Sequence, residues 1–169
     1  MLSAVGTIKK QSAIQGETRG DGGATRVLSL DPGGTTGYAI TAYDNTFPAD
    51  IERSGQIKHG LKGFLDFHWD VLESEEFDFI ICENFELREG IYGADLTPVY
   101  IIGALEALYP TVPIIYQAPY QKPLVDDDRL KKLAIYEPGK PHRNDAVRHM
   151  VIYLRNTKHL PTLVHGWKE

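Results

Sequence analysis

The sequence predicts an α/β fold: a central mixed five-stranded sheet, three antiparallel strands followed by two parallel ones, flanked by helices. Three observations lead there. The first strand candidates follow one another across connections shorter than the roughly dozen residues that a parallel crossover needs. The run Phe79-Ile80-Ile81-Cys82 is apolar without alternation, the pattern of a strand buried on both faces. Beyond it, helical and strand patterns alternate, as they do when helices cover both sides of a sheet.

Taken in order, residues 1–24 are rich in Gly, Gln, Ser and Thr and lack apolar periodicity, so a flexible N-terminal tail is expected there. One domain then fills residues 25–157, with residues 158–169 as a C-terminal tail; a chain of 169 residues suits a single domain. Strands are expected from Val27 to Asp31, Tyr38 to Tyr43 and Ile51 to Ile57, separated by turn-forming Pro-Gly-Gly and Asp-Asn segments. A helix follows from Leu61 to about Ser74, because Leu61, Phe64, Leu65, His68, Trp69 and Leu72 share one face. After the strand at Phe79 come a helix from Leu96 to Leu108, a strand from Pro113 to Tyr116, a helix near Asp126 to Ile135 and a final helix from Asn144 to Asn156. The helix ending at Leu108 is apolar almost all round, from Val99, Tyr100, Ile101 and Ile102 to Ala104, Leu105, Ala107 and Leu108. One side of it faces its own sheet, and the other is expected to form a homodimer interface.

Composition narrows the function classes. Hydrophobic residues make up 42% of the chain, enough for a packed core. No apolar run approaches the roughly 18 to 20 residues that cross a bilayer, so no membrane association is expected. The single cysteine, Cys82, lies in a buried-strand pattern, which with the missing secretory signal points to a reducing cytoplasm. The net charge of −5 hides an asymmetry: residues 1–128 carry 9 Lys/Arg against 20 Asp/Glu, and residues 129–169 carry 9 against 3. That last quarter is a basic block, read by itself equally well as a solvated helix face or as charge for phosphate.

Chemistry is concentrated in acids that punctuate secondary structure. Asp31 ends the first strand, Glu83 ends Phe79-Ile80-Ile81-Cys82, and Asp145 opens the last helix three residues after His142. Acids at such positions converge on the carboxyl edge of an α/β sheet, and converging oxygen ligands hold Mg²⁺ for phosphoryl chemistry. Asp31, Glu83, His142 and Asp145 are therefore the expected catalytic and metal-binding residues. Each has a structural alternative: Asp-Pro-Gly-Gly makes a tight turn whatever its function, Glu83 ends a strand, His142 could equally be a loop histidine, and Asp145 complements a helix dipole. The small residues Thr35, Thr36 and Gly37 are expected to keep the surroundings of Asp31 open to a ligand. Glu86 and Glu89 lie near Glu83; Asp126, Asp127 and Asp128 read as a helix N-terminal charge cluster, and His68, His149 and His165 show no ligand spacing. Arg129, Lys131, Lys132, Lys140, Arg143 and Arg148 bracket the His142/Asp145 pair as candidate phosphate contacts. No Cys-x-x-Cys, Gly-x-Ser-x-Gly or Gly-x-x-x-x-Gly-Lys pattern supports zinc, serine or P-loop chemistry.

Together, LSLDPGGTTGYAI, FIICENF and PHRNDAVRH resemble the RuvC-type Holliday junction resolvases of the ribonuclease H-like superfamily, especially the compact versions encoded by bacteriophages. The likeness spans about residues 26–156. It implies Asp31, Glu83 and Asp145 as metal-binding carboxylates, with His142 where the family has Asp or His. It also implies two Mg²⁺ or Mn²⁺ ions per site, hydrolysis leaving 5′ phosphate and 3′ hydroxyl ends, and a homodimer that nicks opposing strands of a four-way junction symmetrically. The cytoplasm of a bacterial host is the implied location for a phage-encoded member. Gln117-Ala118-Pro119-Tyr120-Gln121-Lys122 looks like the family's loop before a basic helix, which adds Lys122 to the DNA contacts. Bacterial members place a base-pair-opening aromatic a few residues beyond the second acid; Phe85 lies closer and Tyr92 further on. Other expectations remain: a related nuclease acting on flaps, replication forks or precursor ribosomal RNA, a DNA-structure binder without catalysis, or an actin-like nucleotide-binding module, since Asp-x-Gly-Gly-Thr-Thr also resembles that phosphate loop.

Overall fold

Side chains alternate along the first strand, Leu28 and Leu30 entering one hydrophobic core and Val27 another, and Ile80 and Cys82 alternate likewise with Phe79 and Ile81. Two neighbouring strands with apolar residues on both faces must be covered on both faces, and they are. The structure, a computed structural model, describes residues 23–86 and 93–165. Five strands, β1 (Thr25–Asp31), β2 (Thr35–Tyr43), β3 (Asp50–Lys58), β4 (Phe79–Glu83) and β5 (Ile114–Gln117), form one sheet in the order β3-β2-β1-β4-β5. The first three pair antiparallel, and β4 and β5 add in parallel to β1 and to β4 respectively. This is the mixed five-stranded α/β sheet that the sequence predicts.

Helices α1 (Gly60–Phe67) and α2 (Thr97–Leu108) cover one face, packing Phe64, Ile101 and Leu105 on Leu28, Leu30, Ile40 and Ile80. The other face carries α3 (Asp127–Lys132) and the long α4 (Pro141–Asn156), whose Val147, Met150, Val151 and Leu154 meet Val27, Ala39 and Ile81. Each fully buried Leu or Ile of these cores contributes about 1.5–3 kcal/mol by leaving water.

Several boundaries differ from the sequence reading, each for a local reason. The helix expected to reach Ser74 ends as α1 at Phe67 and continues as a π-helical turn, His68–Leu72, in which the Glu73 amide donates back to the His68 carbonyl at 2.8 Å. Helix α3 is shorter than expected, since Ala134 takes a positive φ of 57° just after it. Asp126 caps α3, its Oδ1 accepting from the Arg129 amide at 2.8 Å, as the reading of that acidic run as a helix start requires. Helix α4 begins at Pro141, not Asn144, with proline in the first turn where its missing N–H costs nothing. A 3₁₀ turn, Pro119–Leu124, lies where no element was expected. Within residues 158–165, read from the sequence as tail, the short helix α5 (Leu160–His165) follows a buried His159, and the Thr162 hydroxyl accepts from the Ala49 amide at 2.8 Å. Among the described residues no helix is long and apolar enough to cross a membrane.

Candidate active site

Strand register puts the first functional groups together. Leu30 pairs with Cys82 across the parallel β1/β4 ladder, so Asp31 and Glu83 leave adjacent strands at the same carboxyl edge. Glu83 in turn pairs with Gln117 at the end of β5. Helix α4 crosses this edge from the other layer, and its early start puts His142, Asp145 and His149 at spacings of three and four on one helical face.

Gly37 makes that approach possible. It pairs with Asp31 in the β1/β2 ladder, and a Cβ there would collide with the His142 carbonyl. The space that Gly37 leaves beside Asp31 is thus filled by the backbone of α4. Thr36, also expected to leave room, closes the turn instead: its hydroxyl accepts from the Gly33 amide and donates to the Gly33 carbonyl, both at 3.2 Å. The His142 amide donates to Gln56 Oε1 at 3.0 Å, fastening the helix start to β3.

Three carboxylates converge on one point. Lys122 Nζ lies 2.9 Å from Asp31 Oδ1, 2.7 Å from Glu83 Oε2 and 2.8 Å from Asp145 Oδ2. The ammonium stands where three anionic oxygens find a common cation, and its side chain is only 23% exposed. His142 Nδ1 lies 3.0 Å from Asp31 Oδ2, and His149 Nε2 lies 2.8 Å from Glu83 Oε2. Burial by itself raises the Glu83 pKa, but hydrogen bonds from His149 and Lys122 outweigh it and hold the carboxyl below its ordinary value. Asp31, Glu83 and His149 each bring a ligand atom within 4.8 Å of the others. The donor set fits a divalent cation: oxygens already gathered around one positive centre, with an imidazole beside them.

Arginines set the frame. The Arg148 guanidinium binds Asp145, Asp127 and the Val125 carbonyl, and Arg155 Nη1 donates to the Leu124 carbonyl at 3.1 Å. Both clamp the end of the 3₁₀ turn to α4, which aims Lys122 at the carboxylates.

Against solved structures, the chain matches Thermus thermophilus RuvC in complex with a Holliday junction substrate at a TM-score of 0.63 and 15% identity, over 81% of this chain and 98% of that one. A second Thermus thermophilus RuvC structure matches at 0.58 and 16% identity, over 80% and 98%. This is the RuvC fold. No protein-family model and no curated protein matches the sequence. On the RuvC fold as this chain builds it, Asp31, Glu83, His142 and Asp145 stand together at one sheet edge.

The expected DNA contacts divide. Lys131, Lys132 and Lys140 are exposed, with Lys131 Nζ 3.0 Å from Asp128 Oδ1, and Arg129 is half-buried. Arg143 and Arg148 are each only 7% exposed. Arg143 donates to Ser54 Oγ at 2.9 Å and to the Ile135 carbonyl, and burial lowers its pKa. Both guanidinium groups are thus spent inside the protein, which corrects the reading of these two as phosphate contacts. Lys122 sits among the carboxylates. Phe85 is half-buried just beyond β4, Glu86 is exposed, and Tyr92 and Glu89 lie outside the described residues, as does the side chain of His165. His68 is buried and bonds the Tyr109 hydroxyl at 3.0 Å. The sequence reading missed His149, four residues beyond Asp145 and hence on the same face of α4; that spacing was the available signal.

Proposed function

We propose that this chain is a divalent-metal-dependent endonuclease that resolves four-way DNA junctions by paired symmetric nicks. The observation that carries the reading is the convergence of Asp31, Glu83 and Asp145 oxygens within 2.7–2.9 Å of a single cationic centre, at the carboxyl edge of a RuvC-fold sheet. Asp31, Glu83 and Asp145, with His142 and His149 beside them, would hold Mg²⁺ or Mn²⁺, two ions per site. Bound there, divalent cations supply charge neutralisation at the scissile phosphate and make an attacking water more acidic.

The chain's own groups do the rest. Asp31 and Glu83 are fixed by strand register and Asp145 by the Arg148 clamp, so the site is preorganised. The His142 side chain, 44% exposed, is the member of the set most open to an incoming phosphate. Lys122 belongs to the site as the resident cation, free to pass to a substrate phosphate once the carboxylates are otherwise neutralised. Lys131, Lys132 and Lys140, with Arg129, supply the basic surface that holds the duplex arms. Phe85, two residues beyond Glu83 in sequence, and Tyr92 are the aromatics proposed to act at the junction.

The dimer is proposed from α2. Its inner side buries Ile101 and Leu105, while Val99 and Tyr100 are 41% and 58% exposed and Leu96 just before it 43%. An exposed apolar face of this kind calls for a partner, and two copies joined there would give the two sites that symmetric nicking needs. A titration of metal into a cleavage assay on junction, flap and fork substrates tests the reading. Cleavage confined to the junction is expected; equal cutting of all three would replace it with a broader structure-selective nuclease.

A further inference from the structure

Register sets Gln117 beside Glu83, and His149 reaches this pair from α4 with no exposed surface at all. Gln117 grips the histidine twice: its Nε2 donates to the His149 carbonyl oxygen at 3.1 Å, and its Oε1 lies 2.8 Å from the ring Nδ1. A carbonyl oxygen only accepts, so the amide has a single workable orientation and presents its oxygen to the ring. Nδ1 is therefore the nitrogen that carries hydrogen, and in the neutral ring the lone pair sits on Nε2. That Nε2 lies 2.8 Å from Glu83 Oε2. Glu83 Oε2 also lies 2.7 Å from Lys122 Nζ, the cation that a metal ion held between Nε2 and Glu83 would displace. Asp31 completes a three-ligand set with them, each ligand atom within 4.8 Å of the others.

We propose that His149 Nε2 is a nitrogen ligand of the metal site, locked in its ligating tautomer by Gln117, and that it makes the site prefer Mn²⁺ to Mg²⁺. The inference rests on the metal-dependent reading above. Mg²⁺ is bound by oxygen and gives up water reluctantly, whereas transition-series ions accept imidazole readily. The partner of a ligating histidine's other nitrogen fixes ring orientation, and its loss typically weakens metal binding roughly 10- to 100-fold. Gln117 is in this sense a positioning residue, acting through His149.

The test uses the full chain without DNA. Mn²⁺ and Mg²⁺ are each titrated by calorimetry, and the Mn²⁺-loaded protein is examined by electron-spin-echo envelope modulation for imidazole nitrogen coupling. Tighter binding of Mn²⁺ than of Mg²⁺ is expected, with a nitrogen coupling that persists in His142→Gln and disappears in His149→Gln. Gln117→Leu, which keeps the imidazole, should weaken Mn²⁺ binding by roughly 10- to 100-fold. Mn²⁺ bound without nitrogen coupling in the wild-type protein, or a coupling lost only in His142→Gln, overturns the inference and leaves the metal site standing. Failure to bind either ion overturns both. The wild-type spectrum decides the first point even where a variant fails to fold.

Discussion

Replacing Asp145 by Asn removes one oxygen anion from the carboxylate cluster and leaves the exposed lysines untouched. Cleavage should fall to background while junction binding in a mobility-shift assay is retained; full cleavage by Asp145→Asn would take that residue out of the site. Lys122→Met tests the opposite charge. Without its ammonium, three carboxylates face one another in the metal-free protein, so stability in EDTA should drop by about 2 kcal/mol, below the 3–5 typical of a fully buried pair because the site is partly open to water. Added divalent metal should restore more stability to this variant than to the wild type, by denaturant unfolding; equal restoration would contradict Lys122 as the resident cation. Asp31, Glu83 and Asp145 were legible in the sequence because each punctuates an apolar or amphipathic run. His149, Gln117 and the inward turn of Lys122 were not, because they depend on the β4/β5 register and on how α4 lies across the sheet, which no local pattern states. Arg143 and Arg148 misled for a related reason: basic residues near a site look alike in sequence, whether their guanidinium groups meet phosphate or the protein's own carbonyls.

Helix α4 carries three of the site's side chains, and its seating depends on the missing Cβ at Gly37. Gly37→Ala should push the start of α4 off β2, costing about 1–3 kcal/mol as an overpacked contact does and disabling cleavage out of proportion to the stability lost. Wild-type cleavage by a folded Gly37→Ala protein would show that the helix start need not sit so close. The strands and the order of elements were readable from apolar patterning alone, since β4 has no polar face and β1 to β3 are joined by short turns. The start of α4 was written in Pro141 yet placed at Asn144, and the 3₁₀ turn was hidden in Pro119-Tyr120-Gln121-Lys122-Pro123-Leu124, whose two prolines read as loop. Tyr100→Glu on α2 places a charge in the proposed dimer face. Light scattering should give a dimer mass for the wild type and a monomer mass for this variant, and a wild-type monomer at micromolar concentration would remove α2 as an interface.

A chain of net charge −5 binds DNA only if its positive groups are gathered, and residues 129–169 gather 9 Lys/Arg against 3 Asp/Glu. Of these, Arg143 and Arg148 are committed to the fold, so the affinity should rest on the exposed lysines and weaken steeply with salt. Lys132→Ala should lower the salt-dependence slope of junction binding by about 1; an unchanged slope would place the DNA elsewhere. The molecule is one RuvC-fold sheet, with Asp31 and Glu83 at its carboxyl edge, α4 crossing that edge, and on the other layer an apolar helix, α2, that exposes Val99 and Tyr100. The most direct measurement is cleavage of an end-labelled four-way junction beside a linear duplex and a flap of equal length, with Mg²⁺, Mn²⁺ or EDTA. Paired symmetric nicks on the junction alone, present with metal and absent in EDTA, are the predicted result. Cleavage that persists in EDTA, or no cleavage of any substrate with either metal, would contradict the account.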